Sequence, residues 1–139
     1  MTRLERGSSE RSDLKKRIGS SENEHNGTKY IIVYISRIVC SETEPLNFKL
    51  KNTLKLKPKK VALVYDEFFD RFYYFNYLKN GSLSNKKEKI VKTYKPIPNV
   101  FFDKKDCINS YLKELAKVNA LIEKQISDMK KSQKELFEI

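Results

Sequence analysis

Three carboxylates in one short segment are the side chains whose types and spacing come nearest to catalysis. Asp66, Glu67 and Asp70 fall within a five-residue stretch, and Lys59 and Lys60 precede them. Metal-dependent cleavage of a phosphodiester needs two or more acids, often with a lysine, so the group fits a nuclease. The trio fits a polar turn between aromatic strands equally well, and its spacing fixes no metal geometry. We therefore predict no enzymatic activity, no metal and no cofactor.

The other nucleophiles and bases of the sequence have no evident catalytic partner. Cys107 is predicted in the first turn of a helix, where the dipole lowers a thiol pKa, but no base is at hand, so an inert packed thiol is favoured. The only histidine, His25, lies in a polar stretch, and only Gly81 follows residue 27, which excludes a glycine-rich phosphate loop. Cys40 and Cys107 make neither a disulfide framework nor a metal-ligand spacing, so both are expected to be reduced.

The charge of the chain is concentrated in its middle. The 139 residues carry a formal charge of +11, and residues 29–102 alone hold 15 basic and 6 acidic side chains. A basic body of this kind is the usual electrostatic signature of a protein that binds a polyanion. The competing explanation is codon bias in an AT-rich genome with a merely solvated lysine surface, since Lys outnumbers Arg 23 to 6.

Two lysine-rich segments supply the predicted nucleic-acid-binding residues. In the first, residues 46–57 alternate between mostly apolar even positions and mostly basic odd positions, which predicts a strand with one apolar and one basic face. One continuous strand preserves this pattern, as does a three-residue loop that pairs residue 50 with residue 54, and Pro58 is predicted to end it. The binding residues of the two segments are Lys49, Lys51, Lys55, Lys57, Lys59, Lys60, Lys86, Lys87 and Lys89.

The other strands are predicted from β-branched and aromatic runs. Residues 30–39 and 61–65 are typical of buried strands. Residues 65–77 hold eight aromatic side chains and fit either a helix capped by Asp66 or a turn at 66–71 followed by a strand at 72–78. We favour the strand because Asn80-Gly81 is a hairpin signal, and the resulting register places Phe75 opposite Lys86.

A long helix is predicted to begin at Lys104. Asp103 and Asp106 resemble a capping box, and apolar residues follow at steps of three and four. About 35 helical residues span about 50 Å, whereas the body is about 35 Å across, so the helix overhangs the body or breaks after Met129. The heptad spacing from Ile108 permits a coiled-coil seam with polar interruptions, so we expect a weak homodimer. The predicted partner or oligomer contacts are Ile122, Ile126, Met129 and Leu136.

The first 28 residues hold few large apolar side chains and are predicted to be a disordered tail. A short helix over Glu10 to Arg17 is the alternative. No apolar run approaches the roughly 18 residues of a membrane span, and the N-terminus has no signal-peptide pattern. We therefore expect a cytoplasmic protein without a membrane segment.

Together these patterns predict an α+β fold: a small antiparallel sheet of four or five strands with a long C-terminal helix and a disordered N-terminal tail. Residues 1–28 form the tail, 29–102 the basic β-rich body, and 103–139 the helix, which packs on the apolar face of the body. In this organisation the lysine-rich chain resembles accessory proteins of phages and mobile elements. The predicted function is backbone-directed binding of DNA or RNA. The alternative is a protein-interaction module, a regulator or inhibitor acting through the C-terminal helix or the N-terminal tail.

Overall fold

The computed structural model describes residues 2–4, 9–41, 52–91 and 97–138. Within these ranges lie eight strands and two helices. The N-terminal elements are β1 (Thr2–Arg3), α1 (Ser9–Gly19), β2 (Glu24–His25) and β3 (Thr28–Lys29). The body and the C-terminal helix are β4 (Ile31–Ser41), β5 (Asn52–Asp66), β6 (Arg71–Tyr77), β7 (Leu83–Lys89), β8 (Asn99–Phe101) and α2 (Lys104–Phe137).

An antiparallel sheet forms the centre of the molecule. Its strand order is β8-β4-β5-β6-β7, and the two-residue β1 pairs with the outer edge of β8. β2 and β3 form a separate two-stranded hairpin. The α+β fold with a small antiparallel sheet and a long C-terminal helix is therefore confirmed, and residues 71–77 form the strand that the sequence favoured over a helix.

β5 runs through the proline that was predicted to end it. Asn52, Thr53 and Leu54 pair with β4, so the three-residue loop that would pair residue 50 with residue 54 is not formed. Residues 46–51 lie outside the described ranges. Ile35 pairs with Lys59 and Arg37 pairs with Leu56. Two residues of β5, one of them Pro58, therefore oppose a single residue of β4. This is a β-bulge, which tolerates a residue that cannot donate to the sheet ladder.

The β6–β7 register also differs from the prediction by one residue. Phe75 pairs with Lys87 rather than Lys86. Tyr77 pairs with Leu83 across a five-residue turn, and an irregularity between these two pairs inserts two extra residues of β7. The turn is closed by the amide of Leu78, which donates to the carbonyl of Ser82 at 2.8 Å. Aromatic residues still lie opposite lysines across this pair of strands.

One face of the sheet carries the larger apolar cluster, and α1 closes it. The cluster comprises Leu4, Leu14, Ile18, Val33, Ile35, Val61, Leu63, Phe72, Tyr74, Ile90 and Val100. Leu14 and Ile18 of α1 are buried in it. The expectation of a disordered tail is therefore corrected for residues 9–19, which form the helix considered as the alternative. α1 has only two large apolar residues, which lie one turn apart. They are enough to hold the helix on the sheet because the sheet completes their burial.

A cluster of charged groups fastens α1 to the turn between β5 and β6. The guanidinium of Arg11 is nearly buried and donates to the Asp70 carboxylate at 3.0 Å. Lys15 lies 3.2 Å from the same carboxylate, and the Tyr65 hydroxyl also donates to it. Asp70 adopts a left-handed backbone conformation, with φ of 51°. The turn that contains the acidic trio Asp66, Glu67 and Asp70 thus holds α1 against the sheet through Asp70.

α2 begins where the sequence predicted and does not break after Met129. Asp103 is its N-cap, and its carboxylate accepts from the amide of Lys105 at 3.1 Å. The helix contacts β4, β5 and β8, and its buried residues are Cys107 and Val118. Residues 119–137 contain no buried side chain, and we call this part the α2 extension.

Candidate functional site

The bulge at Pro58 changes which lysines of β5 share a face of the sheet. Lys55 lies opposite Ile38 and Lys60 lies opposite Tyr34. Ile38 and Tyr34 are four residues apart on β4, so both project to the same side. Lys57 follows Lys55 by two residues and therefore shares that side as well. One face of the sheet therefore carries Lys55, Lys57 and Lys60, although position 60 is even and the other two positions are odd.

Two lysines of β7 lie on this same face. Lys87 is opposite Phe75, and Lys89 is opposite Tyr73. Phe75 in turn pairs with Ala62 of β5, two residues from Lys60, which fixes the side. We call the side that carries these five residues the lysine face: Lys55, Lys57, Lys60, Lys87 and Lys89.

Two of the predicted binding lysines do not belong to this face. Lys59 lies opposite Ile35 on the other side, where its ammonium donates to the Asn76 amide oxygen at 3.1 Å and to the Tyr74 hydroxyl at 3.3 Å. Lys86 precedes Lys87 and therefore also points away, with its ammonium 3.5 Å from Glu88. These two lysines therefore project from the opposite side of the sheet to the lysine face. Lys49 and Lys51 lie outside the described ranges.

The lysines of the lysine face are poorly neutralised. Lys87 lies 3.7 Å from Asp66 and its ammonium stands 4.4 Å from the ring centroid of Tyr73. The other four are exposed, and no carboxylate of the described residues lies within salt-bridge distance of them. An exposed ammonium without a carboxylate is free to pair with an external anion. These four are Lys55, Lys57, Lys60 and Lys89.

A row of tyrosines crosses the middle of the lysine face. Tyr34 on β4 is opposite Lys60 on β5, and the Lys60 ammonium stands 4.6 Å from the ring centroid of Tyr77 on β6. Burial raises the pKa of Tyr77, and the neighbouring hydroxyls of Tyr30 and Tyr34 raise it further. Lys60 is therefore flanked by a tyrosine on each of the two neighbouring strands. We call Tyr34, Lys60 and Tyr77 the tyrosine row.

The first turns of α2 cover one end of the lysine face. Ser36 and Asn99 pair across β4 and β8, one step along the strands from the tyrosine row, and both are buried. Glu114 of α2 accepts from the Asn99 amide at 2.9 Å, from the Ile38 backbone amide at 2.8 Å and from Arg37 at 3.2 Å. One carboxylate thus satisfies three donors and fixes α2 beside the row. The helix packs on this face, not on the main apolar cluster as predicted.

The β2–β3 hairpin covers the other end of the same face. The ring of His25 packs edge-on against Phe75 with 4.8 Å between centroids, and its Nε2 lies 3.0 Å from the carbonyl of Ser84. The Asn26 side chain donates to Asn85 at 3.1 Å. The only histidine of the chain is therefore a packing residue. The tyrosine row lies between the hairpin and α2, with Lys60 exposed and both tyrosines partly buried.

The acidic trio does not converge with the two lysines that precede it in the sequence. Asp66 caps its own turn by accepting from the Phe68 amide at 2.9 Å, and Asp70 holds α1. Lys60 lies six residues along the strand from Asp66, about 20 Å away. Among the described residues no group of three or more His, Cys, Asp or Glu side chains could hold a metal ion.

Cys107 has the properties of a packing residue. It is buried against the sheet, and burial raises its thiol pKa more than the neighbouring Ser36 hydroxyl lowers it. A thiol in this state is not a nucleophile at neutral pH.

The residues predicted for partner binding lie on the α2 extension. None of them is buried, and the exposure increases towards the end of the helix: Leu136 is 66% exposed and the adjacent Phe137 is 92% exposed. Ile122 and Met129 are partly buried, whereas Ile126 and Leu136 are exposed. The set is Ile122, Ile126, Met129 and Leu136.

Comparison of the chain with protein-family models, with curated proteins and with solved structures finds no match. In the described part of the chain, neither helix is long and apolar enough to cross a membrane.

Sequence reasoning did not identify Tyr30, Tyr34 and Tyr77 as members of a site. Tyr77 lies 43 residues after Tyr34, and only the register of β4, β5 and β6 brings the two to one face of the sheet. One signal was available for the hairpin that borders them. Asn26-Gly27 is a two-residue turn in which both residues have positive φ, 52° and 76°, and this pair is the strongest short-range hairpin signal.

Proposed function

We propose that the protein binds nucleic acid through the lysine face. The observation that carries the proposal is the bulge at Pro58, which places Lys55, Lys57 and Lys60 on the same side as Lys87 and Lys89. A solvated lysine surface needs no such convergence, and acids would normally be interspersed with the lysines. Binding is directed largely to the sugar–phosphate backbone, because lysine is a point charge without a fixed hydrogen-bonding geometry.

The number of lysines sets the salt dependence that this function requires. Five phosphate contacts give a slope of log K against log salt of about −4.5 on duplex DNA and about −3.5 on a single strand. A hydrophobic protein contact would have a slope near zero. The slope therefore separates polyanion binding from an apolar protein contact even when the partner's identity is unknown.

The test compares two variants with the same net charge. In the first, Lys55, Lys57 and Lys89 are changed to Gln. In the control, three exposed lysines of the α2 extension are changed to Gln: Lys124, Lys130 and Lys134. Both variants lower the formal charge from +11 to +8. Binding to labelled oligonucleotides is then measured by fluorescence anisotropy at several salt concentrations.

The first variant should lose two to three units of salt slope, roughly one for each lysine, and the control should keep the slope of the natural protein. If the two variants bind equally well and with equal slopes, the lysine face is not the binding surface and only net charge matters.

The second candidate function is a protein-interaction module that acts through the α2 extension. The observation that favours it is the exposure of Leu136 and Phe137 at the end of a helix that has left the sheet. Pull-down from a cell lysate with and without nuclease separates the two functions. Loss of the captured material on nuclease treatment supports nucleic-acid binding, whereas nuclease-resistant capture of a protein supports the interaction module.

A further inference from the structure

We infer that the lysine face accepts a single-stranded nucleic acid whose bases stack on Tyr34 and Tyr77. The inference rests on the proposed function and adds the form of the nucleic acid and the residues that recognise its bases. It is carried by the tyrosine row, which places two partly exposed aromatic rings beside an exposed lysine on the lysine face.

The composition of the row is the first argument. Proteins that hold single strands combine a basic track with aromatic side chains on which bases stack. Lys60 is exposed between the two half-buried tyrosines, and Ile32, one step along β4 from Tyr34, is 41% exposed. Partly exposed aromatic rings and an exposed isoleucine around a lysine suit the flat face of a base and its attached phosphate.

The positions of the lysines are the second argument. Taken along the strands, Lys55, Lys57, Lys60, Lys87 and Lys89 occupy five successive cross-strand rows, with the tyrosine row in the middle. Rows that are two residues apart are separated by about 7 Å, so the track is about 27 Å long. About eight nucleotides at the stacked spacing of 3.4 Å, and fewer in a splayed strand, would cover this length, which is on the scale of single-strand binding sites of about 4–16 nucleotides.

The spacing of the tyrosines is the third argument. They lie on β4 and β6, two strands apart, which separates their backbones by about 10 Å. Stacked bases on one strand follow each other every 3.4 Å, so consecutive stacked bases cannot occupy both rings. The bound strand must be unstacked at the row, as in a splayed single strand, whereas a duplex buries the faces of its bases.

The experiment uses the full chain and four labelled ligands of one length, twelve residues or base pairs. They are a single-stranded DNA, a single-stranded RNA, the corresponding DNA duplex, and a sugar–phosphate strand that carries no bases. Two double variants are compared with the natural protein: Tyr34→Leu with Tyr77→Leu, and Tyr34→Phe with Tyr77→Phe. Thermal melting by circular dichroism checks that each variant folds.

The inference predicts that a base-bearing single strand binds on the order of ten- to a hundredfold more tightly than the strand without bases. The Leu variant should lose this advantage and keep its salt slope, while the Phe variant should retain the advantage because stacking needs the ring and not the hydroxyl. Tighter binding of DNA or of RNA then identifies the natural strand.

Equal binding of the strands with and without bases would overturn the inference, as would a folded Leu variant with unchanged affinity. The inference would also be overturned if the Phe variant bound the base-bearing strand no more tightly than the strand without bases, because the hydroxyls would then be the binding groups. In each of these cases a steep salt slope leaves the proposed function intact. If no ligand binds with a salt-dependent affinity, the proposed function fails as well.

Discussion

Truncation of Leu14 tests whether α1 is part of the folded protein. The side chain is completely buried in the main apolar cluster, although it belongs to a segment whose composition predicts disorder. Leu→Ala substitutions at buried sites cost about 2–5 kcal/mol, the sum of the lost transfer free energy and the cavity that remains. Because a domain of this size has a total stability of about 5–15 kcal/mol, Leu14→Ala should remove a large fraction of it.

The assay is urea unfolding followed by far-UV circular dichroism. With a denaturant slope of about 2 kcal/mol per molar urea, the midpoint should fall by about 1 M or more. Leu112→Ala is the matched control, since Leu112 also lies within a helix but is 54% exposed and should change the stability by about 0.5 kcal/mol or less. If the two unfolding curves coincide, α1 does not pack on the sheet and the description of residues 9–19 is refuted.

Three further predictions concern the α1 clasp, the buried thiol and the α2 extension. The hydroxyl of Tyr65 and then Lys15 lower the pKa of Asp70 below its usual 3.8. Its ionised carboxylate therefore stabilises the fold above that pH, and this stabilisation is lost as the pH falls through the lowered pKa. Asp70→Asn should cost more stability at about pH 6 than at about pH 2, and an equal cost at both would contradict this. In a Cys40→Ser background, Cys107 should react with a thiol reagent only as fast as the protein unfolds, and rapid labelling of the native state would show that the thiol is accessible. Light scattering should show a mass that rises with protein concentration, and polar substitutions on the α2 extension should abolish the rise; a monomer at high concentration would contradict the weak homodimer. These substitutions are made at Ile122, Ile126, Met129 and Leu136.

The elements that depend on short-range chemistry could be predicted from the sequence. The Asp103 cap predicted the first residue of α2, and the β-branched residues after Tyr30 predicted β4. The aromatic run that ends at Asn80-Gly81 predicted β6 correctly. In each case the residues that decide the structure lie within a few positions of one another.

The lysine face could not be predicted because its decisive contact is long-range. No residue near Pro58 in the sequence indicates that β5 continues through the proline. The bulge depends on the pairing with Ser36 of β4, which is more than 20 residues away in the sequence. The alternation before the bulge suggested that Leu54 is a core residue, yet it is 47% exposed. A charge at Leu54 is therefore not expected to unfold the domain, and Leu63, which is completely buried, is the appropriate core position.

The role of α1 was hidden for a similar reason. Averaged over 28 residues, the composition is that of a disordered segment, and only Leu14 and Ile18 provide an apolar contact. The clasp between Arg11 and Asp70 joins residues 59 positions apart, so no local pattern reveals it.

The most direct test of the central claim is an NMR titration of the full chain with a twelve-nucleotide single strand, followed through the backbone amides. Binding at the lysine face predicts that the largest shifts fall on β4, β5 and β6 around Tyr34, Lys60 and Tyr77, and that the α2 extension does not respond. Shifts confined to the α2 extension, or no saturable shifts at low salt, would contradict the account.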